Sequence, residues 1–324
     1  MSIKVGILGY GNLGKGIEKN IKQNLDMELV AIFTRRDVGS IGKNTDTRIV
    51  SILEIEKWKD KIDVLILCGG SATDLPIQSP KYAEMFNVID SFDTHVKIPE
   101  HFNNVDKAAK KGKKVALISC GWDPGLFSLN RFLAESILPI GTTETFWGKG
   151  VSQGHSEALR KIDGIKDAIQ YTIPNKDVID RIKNGENMAL TTRDKHEREC
   201  FVVLEEGADR KEIEEKIKNM PYYFSEYNTT VHFITDEKLK ANHSKMQHGG
   251  NVIHVGNTGE NRQIIQYELS LDSNPEFTAS VILAYARAVY RLAKKKETGA
   301  RTILDIPPVL LSKKRYKDLL KEIM

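Results

Sequence analysis

The chain has 324 residues, of which 40% are hydrophobic and 28% are charged, and its formal net charge is +4. This length exceeds the usual size of a single hydrophobic core, so we expect two domains or one domain with a large insertion. The charge gives no argument for a nucleic-acid partner, and no apolar run approaches the roughly 18 residues that span a membrane, so neither partner is expected.

The first predicted strand, Ile3 to Leu8, runs directly into a glycine-rich turn that opens an amphipathic stretch, Leu13 to Leu25. In a dinucleotide-binding fold the first glycine permits a tight turn, the second lets the backbone approach the pyrophosphate, and the third permits close packing of helix on strand. The pyrophosphate then lies at the helix N-terminus, which favours negative charge. This context favours a cofactor site over a purely structural turn. The candidate residues are Gly9, Gly11, Asn12, Leu13 and Gly14.

The second predicted strand, Leu29 to Phe33, ends in Thr34, Arg35 and Arg36. Folds that bind NAD usually carry Asp or Glu here, because a carboxylate binds the ribose 2′-hydroxyl, and this chain has no acid at that point. Guanidinium groups suit a 2′-phosphate, so the segment favours NADP(H) over NAD(H). The alternative interpretation is a solvated turn that happens to carry two arginines.

Strand-like and helix-like segments continue to alternate through the first 120 residues, which predicts an α/β, Rossmann-type dinucleotide-binding domain with a parallel sheet. Further strands are predicted at Val64 to Cys68, Asn87 to Asp90 and Val115 to Ser119, and helix-like segments at Ile52 to Trp58, Pro80 to Phe86 and Pro99 to Lys111.

Ligands of such folds bind beyond the carboxyl ends of the strands. The segments that follow the third and fourth predicted strands supply further candidates for cofactor contacts, namely Ser71, Ala72, Thr73, Asp90, Ser91 and Phe92. Three acids also follow strands, Asp90, Asp93 and Asp123, and converging carboxylates can hold an ammonium group and influence its proton loss. Each of these acids alone is more often a helix cap or a turn residue.

The pattern changes after about residue 126, where a predicted helix, Leu126 to Leu138, leads to strands with glycine-rich loops between them. The strands are predicted at Glu144 to Trp147, Glu199 to Leu204 and Thr229 to Thr235. This predicts an α+β substrate-binding and dimerisation domain with a partly antiparallel sheet. The last apolar helix, Ala279 to Leu292, and the tail are expected to pack on the first domain. The predicted domains are 1–122, 123–278 and 279–324.

The second half contains polar residues suited to binding carboxylates, Arg198, His248 and Asn274, although each alone also fits a surface charge, a loop or a turn. The segment Ser152 to Ser156 lacks the spacing of a nucleophile elbow and is better interpreted as a substrate-binding loop. Trp122 and Trp147 are expected either to line a pocket or to fill a core.

These motifs together resemble the meso-diaminopimelate dehydrogenase family, in order and over nearly the whole chain. The most specific are Gly-Trp-Asp-Pro-Gly at 121–125 and Ser-Gln-Gly-His-Ser at 152–156. The other matching segments are Gly9 to Gly14, Thr34 to Arg36, Gly70 to Asp74, Asp90 to His95, Phe146 to Gly148, His248 to Gly250 and Asn274-Pro275. Lys149 replaces a proline of some relatives, and Met246-Gln247 also differs from some of them.

The resemblance implies an NADP-dependent, reversible oxidative deamination of meso-2,6-diaminopimelate at its D-centre, giving L-2-amino-6-oxopimelate and ammonia in lysine and cell-wall precursor metabolism. It places Asp90 and Asp123 near the reacting amino group as catalytic residues, and it implies a homodimer. Residues implied to enclose the substrate are Trp122, Trp147, Gln153 and Gly154. Those implied to hold its distal L-centre are Thr172, Arg198, His248 and Asn274.

Two other functions remain open at this point: a different NADP-dependent amino-acid oxidoreductase of similar build, and a non-catalytic NADP-binding regulator. The three cysteines, Cys68, Cys120 and Cys200, are far apart, which favours unpaired thiols in a reducing cytoplasm, and Met1 leads into the first strand without a secretory signal. No group of Cys and His has the spacing of a metal site, so no metal is expected.

Overall fold

The structure is a computed structural model that describes residues 2–42, 45–186, 188–221 and 223–324. The chain divides into two compact units: the first comprises Met1–Leu129 and Pro275–Met324, and the second comprises Asn130–Asn274. The boundaries at 129/130 and 274/275 fall within the helices Leu126–Ile137 and Asn274–Lys294. The sequence predicts boundaries at 122/123 and 278/279, several residues away.

The strands define the architecture of both units. In chain order they are β1 Ile3–Leu8, β2 Met27–Thr34, β3 Ile49–Ser51, β4 Val64–Leu67, β5 Val88–Asp90, β6 Val115–Leu117, β7 Gly141–Trp147, β8 Gly150–Val151, β9 Ile165–Pro174, β10 His196–Leu204, β11 Asn228–Phe233, β12 His248–Thr258, β13 Asn261–Leu271 and β14 Gly299–Arg301.

The helices connect and cover these strands. The α-helices are α1 Asn12–Ile21, α2 Val38–Gly42, α3 Leu75–Ala83, α4 Ile98–Gly112, α5 Leu126–Ile137, α6 Gln153–Arg160, α7 Lys176–Lys183, α8 Thr192–Lys195, α9 Arg210–Lys218, α10 Asp236–His243, α11 Asn274–Lys294 and α12 Tyr316–Glu322. Short 3₁₀ helices lie at Ile52–Trp58, His95–Lys97, Ile303–Asp305 and Pro308–Leu310.

In the described part of the first unit, seven parallel strands form one sheet in the order β14-β6-β5-β4-β1-β2-β3. Strand β1 lies inside the sheet, β2 and β3 are added on one side of it, and β4, β5 and β6 are added on the other side. The order of addition therefore reverses between β1 and β4, which is the switch point where doubly wound folds bind their ligands. The predicted Rossmann-type fold is thereby confirmed. The outer strands β3 and β14 were not predicted, because three-residue strands carry too little periodicity to be recognised.

Helices cover both faces of this sheet, which explains why its strands are continuous apolar runs. On one face, Val5 and Ile7 of β1 pack with α1 and with the apolar side of α11. On the other face, Leu65 of β4 packs with residues of α3 and α4 such as Tyr82 and Val105. The last 50 residues therefore contribute both a strand and a core helix to the first unit.

In the second unit, β11-β10-β9-β8 form a mixed sheet and β13-β12-β7 form an antiparallel sheet. This confirms the partly antiparallel α+β character. The long pair β12 and β13 was missed, because the glycines of His248-Gly249-Gly250 suggest a loop. A Cβ on Gly249 would lie 2.2 Å from the Leu269 carbonyl oxygen, so this glycine permits two strands to approach closely rather than ending a strand.

None of the helices in the described ranges has both the length and the apolar composition needed to cross a membrane. Within the same ranges, His, Cys, Asp and Glu do not gather in groups of three or more that could hold a metal ion.

Candidate functional site

A cavity of about 220 Å³ lies at the carboxyl ends of β1, β2 and β4 in the first unit. Its wall contains residues from the glycine turn, from the segment after β2 and from the segment after β4, although Ser71, Ala72 and Thr73 are not among them. The wall residues are Leu8, Gly9, Tyr10, Gly11, Phe33, Thr34, Arg35, Arg36, Cys68, Gly69, Gly70, Asp74 and Gln78. The structure thus brings together the glycine turn and the arginine pair, which are at least 21 residues apart in the sequence.

The three glycines have distinct surroundings that match the requirements of a dinucleotide turn. Gly9 has a φ of +100°, which strains any residue with a Cβ, and a Cβ on Gly14 would lie 2.4 Å from the Gly9 carbonyl oxygen. A Cβ on Gly11 would meet nothing within 4 Å, which leaves open space beside the backbone. Asn12 and Leu13 form the first turn of α1, which carries no acidic side chain, so the helix N-terminus suits an anion.

The arginine pair is held in place by the cavity wall. The backbone N–H of Arg36 donates to Thr34 Oγ1 at 3.0 Å, and its guanidinium donates to the Tyr10 carbonyl oxygen at 2.7 Å. Arg35 forms an ion pair with Asp74 at 2.9 Å while its side chain stays 65% exposed. The two residues directly after β2 are these exposed arginines, whose cations fit a 2′-phosphate. Asp74 was not predicted to take part, since its side chain meets Arg35 only through the fold.

The turn before α3 places Ser71 half-buried and Ala72 and Thr73 exposed at the same sheet edge. Ser71 Oγ accepts a hydrogen bond of 2.8 Å from the backbone N–H of Asp93, which joins this turn to the loop after β5. Ser71, Ala72 and Thr73 therefore present small side chains, two of them with hydroxyl groups, at the sheet edge where the cofactor is expected.

The structure corrects the role predicted for Asp90. Its carboxylate is completely buried and accepts four hydrogen bonds, from the backbone N–H groups of Phe92 and Ser119 and from the side chains of Ser79 and His101. Both oxygens are thus occupied by protein donors, and no lone pair remains directed at a ligand. The acid of this loop that is exposed is Asp93, three residues later.

Phe92 also differs from its predicted place. Its ring is 1% exposed and stacks on His101, with 4.1 Å between ring centroids and 17° between planes. The side chain therefore belongs to the core and offers only its backbone to a cofactor, while Ser91 beside it is half-buried.

Asp123 and Trp122 lie in a tight turn after β6. Trp122 is 8% exposed and packs edge-to-face on Phe127, with ring centroids 5.2 Å apart, so its side chain contributes mainly to the core. Asp123 is half-buried and precedes a cis proline, Pro124. Gly125 closes the turn with a φ of +134°, where a Cβ would lie 1.8 Å from the Gly121 carbonyl oxygen.

The second unit collects a row of polar residues across its mixed sheet. Gly150, Thr172, Arg198 and Thr229 occupy matching positions on four adjacent strands, so the side chains of the last three share one face. Arg198 donates a short hydrogen bond to Thr172 Oγ1, and its guanidinium lies 3.8 Å from the centroid of the Tyr227 ring. Four residues further along β9 and β10, the same face of the sheet is apolar, and Ala168 and Val202 there belong to a hydrophobic core.

Buried polar atoms without hydrogen-bond partners lie near the carboxyl ends of the first-unit strands and on the polar face of the mixed sheet. Among the residues that the structure describes, six buried side-chain nitrogen or oxygen atoms have no hydrogen-bond partner. Gln78 Oε1 and Ser119 Oγ lie in the first unit, at the cofactor cavity and after β6. The other four, both amide atoms of Gln170, Arg198 Nε and Thr229 Oγ1, lie on one face of β9, β10 and β11. Buried polar groups without partners are rare, so these positions call for a ligand or water.

Burial, together with the charge of Arg198, keeps the histidines around Arg198 neutral. Burial, followed by the positive charge of Arg198, lowers the pKa of His155 to about 4 and that of His196 to about 3, where Lys195 adds to the effect. Burial and Arg198 lower the pKa of His248 as well, and this is opposed by a hydrogen bond between its ring and the Gly249 carbonyl oxygen. Neutral rings leave Arg198 as the cation of this surface and offer hydrogen bonds without repelling an ammonium group.

The remaining predicted substrate residues of the second unit are partly accessible. Trp147 is 38% exposed and stacks on His196 with ring centroids 5.3 Å apart. Gln153 and Gly154 are exposed in the first turn of α6, and Gln153 donates to Met246 Sδ at 3.7 Å. The backbone N–H of Asn274 donates to the Met246 carbonyl oxygen at 2.9 Å.

A larger cavity of about 410 Å³ in the second unit is a weaker candidate. Among the predicted site residues it contains only His248, and its wall is formed mainly by α7 and by β12 and β13. Volume alone therefore does not identify the site, since the unpartnered polar atoms lie elsewhere.

Comparison with known proteins identifies close relatives over the whole chain. A family model described as the diaminopimelic acid dehydrogenase C-terminal domain matches residues 121–273. The meso-diaminopimelate D-dehydrogenase of Ureibacillus thermosphaericus is 58% identical over 323 residues, which cover 99% of each chain.

Two solved structures are similar in fold and sequence. The diaminopimelate dehydrogenase of Corynebacterium glutamicum in complex with diaminopimelate has a TM-score of 0.94 and 43% identity, covering 100% of this chain and 99% of that one. An engineered D-amino acid dehydrogenase bound to NADP⁺ has a TM-score of 0.89 and 42% identity, with both chains fully covered.

Proposed function

The chain belongs to the meso-diaminopimelate dehydrogenase family, and from that premise we propose that it catalyses the NADP-dependent, reversible oxidative deamination of meso-2,6-diaminopimelate at its D-centre. The products are L-2-amino-6-oxopimelate, ammonia and NADPH. The observation that carries this proposal is the 58% identity to such an enzyme along 99% of both chains. Agreement of that extent supports a substrate domain of the same kind.

The cofactor cavity has the properties that NADP(H) requires. Gly9, Gly11 and Gly14 form a phosphate turn at the start of α1, and Arg35 and Arg36 supply cations where an NAD enzyme carries an acid. The unpartnered Gln78 Oε1 in the cavity wall offers an acceptor to a bound nucleotide. When bound, NADP⁺ accepts the hydride, and the protein supplies orientation and charge.

The distal L-centre is bound by the polar row of the second unit in this proposal. Arg198 provides a buried cation for the carboxylate, and Thr172 fixes the direction of its guanidinium. His248, whose pKa is lowered in part by the charge of Arg198, supplies a further polar group, and we assign Asn274 to the same site. A substrate without the distal amino-carboxylate leaves these buried groups unmatched, at a cost of roughly 1–3 kcal/mol for each, which explains selection of a two-ended amino acid.

At the reacting D-centre, the accessible acids are Asp93 and Asp123. We assign to them the binding of the substrate ammonium group, and Asp93 takes the role that the resemblance implies for Asp90. The ammonium must lose a proton before its lone pair can assist departure of hydride from Cα, and a neighbouring carboxylate promotes this step. Water then adds to the resulting imine carbon, and the carbon–nitrogen bond breaks to release ammonia and leave the ketone.

Two further aspects follow from the family. We infer a homodimer, supported by apolar side chains exposed on and after α5, namely Phe132, Leu133, Ile137 and Ile140. We infer a cytoplasmic location, supported by the free thiols of Cys68, Cys120 and Cys200.

The experiment that tests the function follows NADPH formation by absorbance. The purified protein is mixed with NADP⁺ and with meso-diaminopimelate, its LL and DD isomers, L-aspartate or homoserine. We expect turnover with the meso isomer and little with the LL isomer, which has no D-centre. Turnover with aspartate or homoserine alone points to another amino-acid oxidoreductase, and NADPH binding without turnover of any compound points to a non-catalytic regulator.

A further inference from the structure

The buried pair of Asp90 and His101 lies beneath the loops that carry the proposed reacting-end acids. Asp90 ends β5, and its side chain is 0% exposed. Its Oδ2 receives a hydrogen bond of 2.8 Å from His101 Nε2 on α4 and one of 2.5 Å from the Ser79 hydroxyl on α3. Two helices that cover the same face of the sheet are thus tied to one carboxylate oxygen.

The other oxygen of Asp90 fixes two loops. Oδ1 receives hydrogen bonds from the backbone N–H of Phe92, at 3.1 Å, and from that of Ser119, at 2.9 Å. Ser119 adopts a left-handed backbone with a φ of +53°, which a serine seldom takes without a fixed partner. The carbonyl oxygen of Asp90 also accepts from the backbone N–H of Cys120 at 2.8 Å. One residue therefore sets the positions of both segments.

These two segments present the acids of the reacting end. Asp93 follows Phe92 by one residue, and Asp123 follows Ser119 by four. His101 stabilises the arrangement from two sides, because its nitrogen bonds Asp90 and its ring stacks on Phe92 at 4.1 Å. A rotation of the imidazole would move the carboxylate and the loop together.

We propose that His101 and Asp90 form a positioning pair that sets the placement of Asp93 and Asp123, and so controls the rate of hydride transfer without touching substrate. The inference rests on the proposed dehydrogenase function. The physical reason is that a displacement of about 1 Å at reacting groups lowers rates by up to about 100-fold, whereas binding at distant groups is unaffected. The pair is buried, and both carboxylate oxygens of Asp90 are hydrogen-bonded, as a rigid support requires.

The test compares His101→Phe with His101→Gln. Phenylalanine retains a ring against Phe92 and removes the donor to Asp90, whereas the glutamine amide keeps a donor near the position of Nε2. We expect His101→Phe to lower kcat by about 10- to 100-fold, with the dissociation constant for NADPH changed less than about three-fold. The primary deuterium isotope effect on kcat, measured with substrate labelled at the D-centre, is expected to rise. His101→Gln is expected to recover most of kcat.

A matched control separates positioning from stability. His254 is also buried and hydrogen-bonded, to Thr143 Oγ1 and to the Leu138 carbonyl oxygen, but it belongs to the second unit. His254→Phe is expected to lower the melting temperature and leave kcat per folded molecule and the isotope effect unchanged. If His101→Phe behaves in the same way, or if His101→Gln is as slow as His101→Phe, the positioning proposal is overturned.

A second variant covers failure of His101→Phe to fold. Ser79→Ala removes one donor to the same Asp90 oxygen and creates little empty space. A smaller decrease in kcat with a raised isotope effect supports the proposal, and unchanged values of both contradict it. An inactive wild-type protein would instead refute the proposed function, so the two failures are distinguishable.

Discussion

The backbone N–H of Trp147 donates a hydrogen bond of 2.8 Å to Nε2 of His196, so this ring nitrogen carries a lone pair. Protonation of Nε2 would replace the bond by a repulsive contact and would place a second cation near Arg198. Burial and the neighbouring charges of Arg198 and Lys195 keep the pKa of His196 at about 3. The hydrogen bond between the Trp147 backbone and His196 therefore depends on a neutral imidazole ring.

The first prediction concerns stability at low pH. In the unfolded chain, His155 and His196 become protonated below about pH 6.5. In the folded chain, His155 becomes protonated only near pH 4 and His196 only near pH 3. The unfolded state binds more protons in this window, so the free energy of unfolding falls as pH decreases, by up to about 1.4 kcal/mol per pH unit for each histidine. Between pH 7 and 9 these groups contribute no slope.

Urea unfolding at pH 5, 6 and 7 measures this slope. His196→Asn and His155→Gln are expected to reduce it, whereas replacement of His232, whose side chain is 41% exposed, is expected to leave it unchanged. A slope that survives both buried-histidine variants would assign it to other groups.

The second prediction concerns the proposed binding of the distal carboxylate of the substrate by Arg198. Arg198→Met keeps an apolar stem in the buried position and removes the guanidinium, so we expect KM for meso-diaminopimelate to rise about 10- to 100-fold, since hydrogen bonds to charged groups contribute roughly 1.5–3 kcal/mol. Steady-state kinetics at saturating NADP⁺ measure this change. Arg193→Met, at an exposed position on α8, serves as control, and an unchanged KM in Arg198→Met would remove Arg198 from the substrate site.

The third prediction separates the acids at the sheet edge. Asp93→Asn and Asp123→Asn are each expected to lower kcat at least about ten-fold, because they remove negative charge beside the substrate nitrogen. The dissociation constant for NADPH, measured by fluorescence, should stay within about three-fold of the wild-type value. Near-normal turnover in either variant contradicts the role of that residue at the nitrogen.

The fourth prediction concerns the choice of cofactor. Arg35→Gln together with Arg36→Gln removes both cations of the cavity wall, and we expect the ratio of kcat/KM for NADP⁺ over NAD⁺ to fall by about 100-fold. Because Arg35 pairs with Asp74, the double variant also leaves that carboxylate in the cavity wall without its cation, where its negative charge disfavours a 2′-phosphate. A retained ratio would show that the 2′-phosphate is bound elsewhere.

The sequence predicts the parts of the fold that depend on local periodicity. The run Ile3 to Leu8, the glycine turn and the arginines after β2 are contiguous signals, and they fall where expected. The strands β12 and β13 were missed, because Gly249 is required by a neighbouring strand that is absent from any local window. The row of Thr172, Arg198 and Thr229 likewise depends on strand register.

The different surroundings of Asp90 and Asp93 show why the sequence alone does not identify the accessible acid. Both acids follow the same strand by at most three positions, and composition does not distinguish them. The difference arises from Ser79 and His101, which reach Asp90 from two helices that the sequence places only approximately. Which carboxylate meets solvent is decided by packing, and packing depends on residues distant along the chain.

The first unit is built from two stretches of chain separated by the whole of the second. During synthesis on the ribosome, residues 1–129 emerge with β6 as an open sheet edge, and one sheet face lacks the apolar side of α11. Residues 130–274 are contiguous and complete both of their sheets earlier. Open edges and bare apolar faces promote aggregation, so we expect the nascent first unit to be prone to aggregation until residues 275–324 have been synthesised.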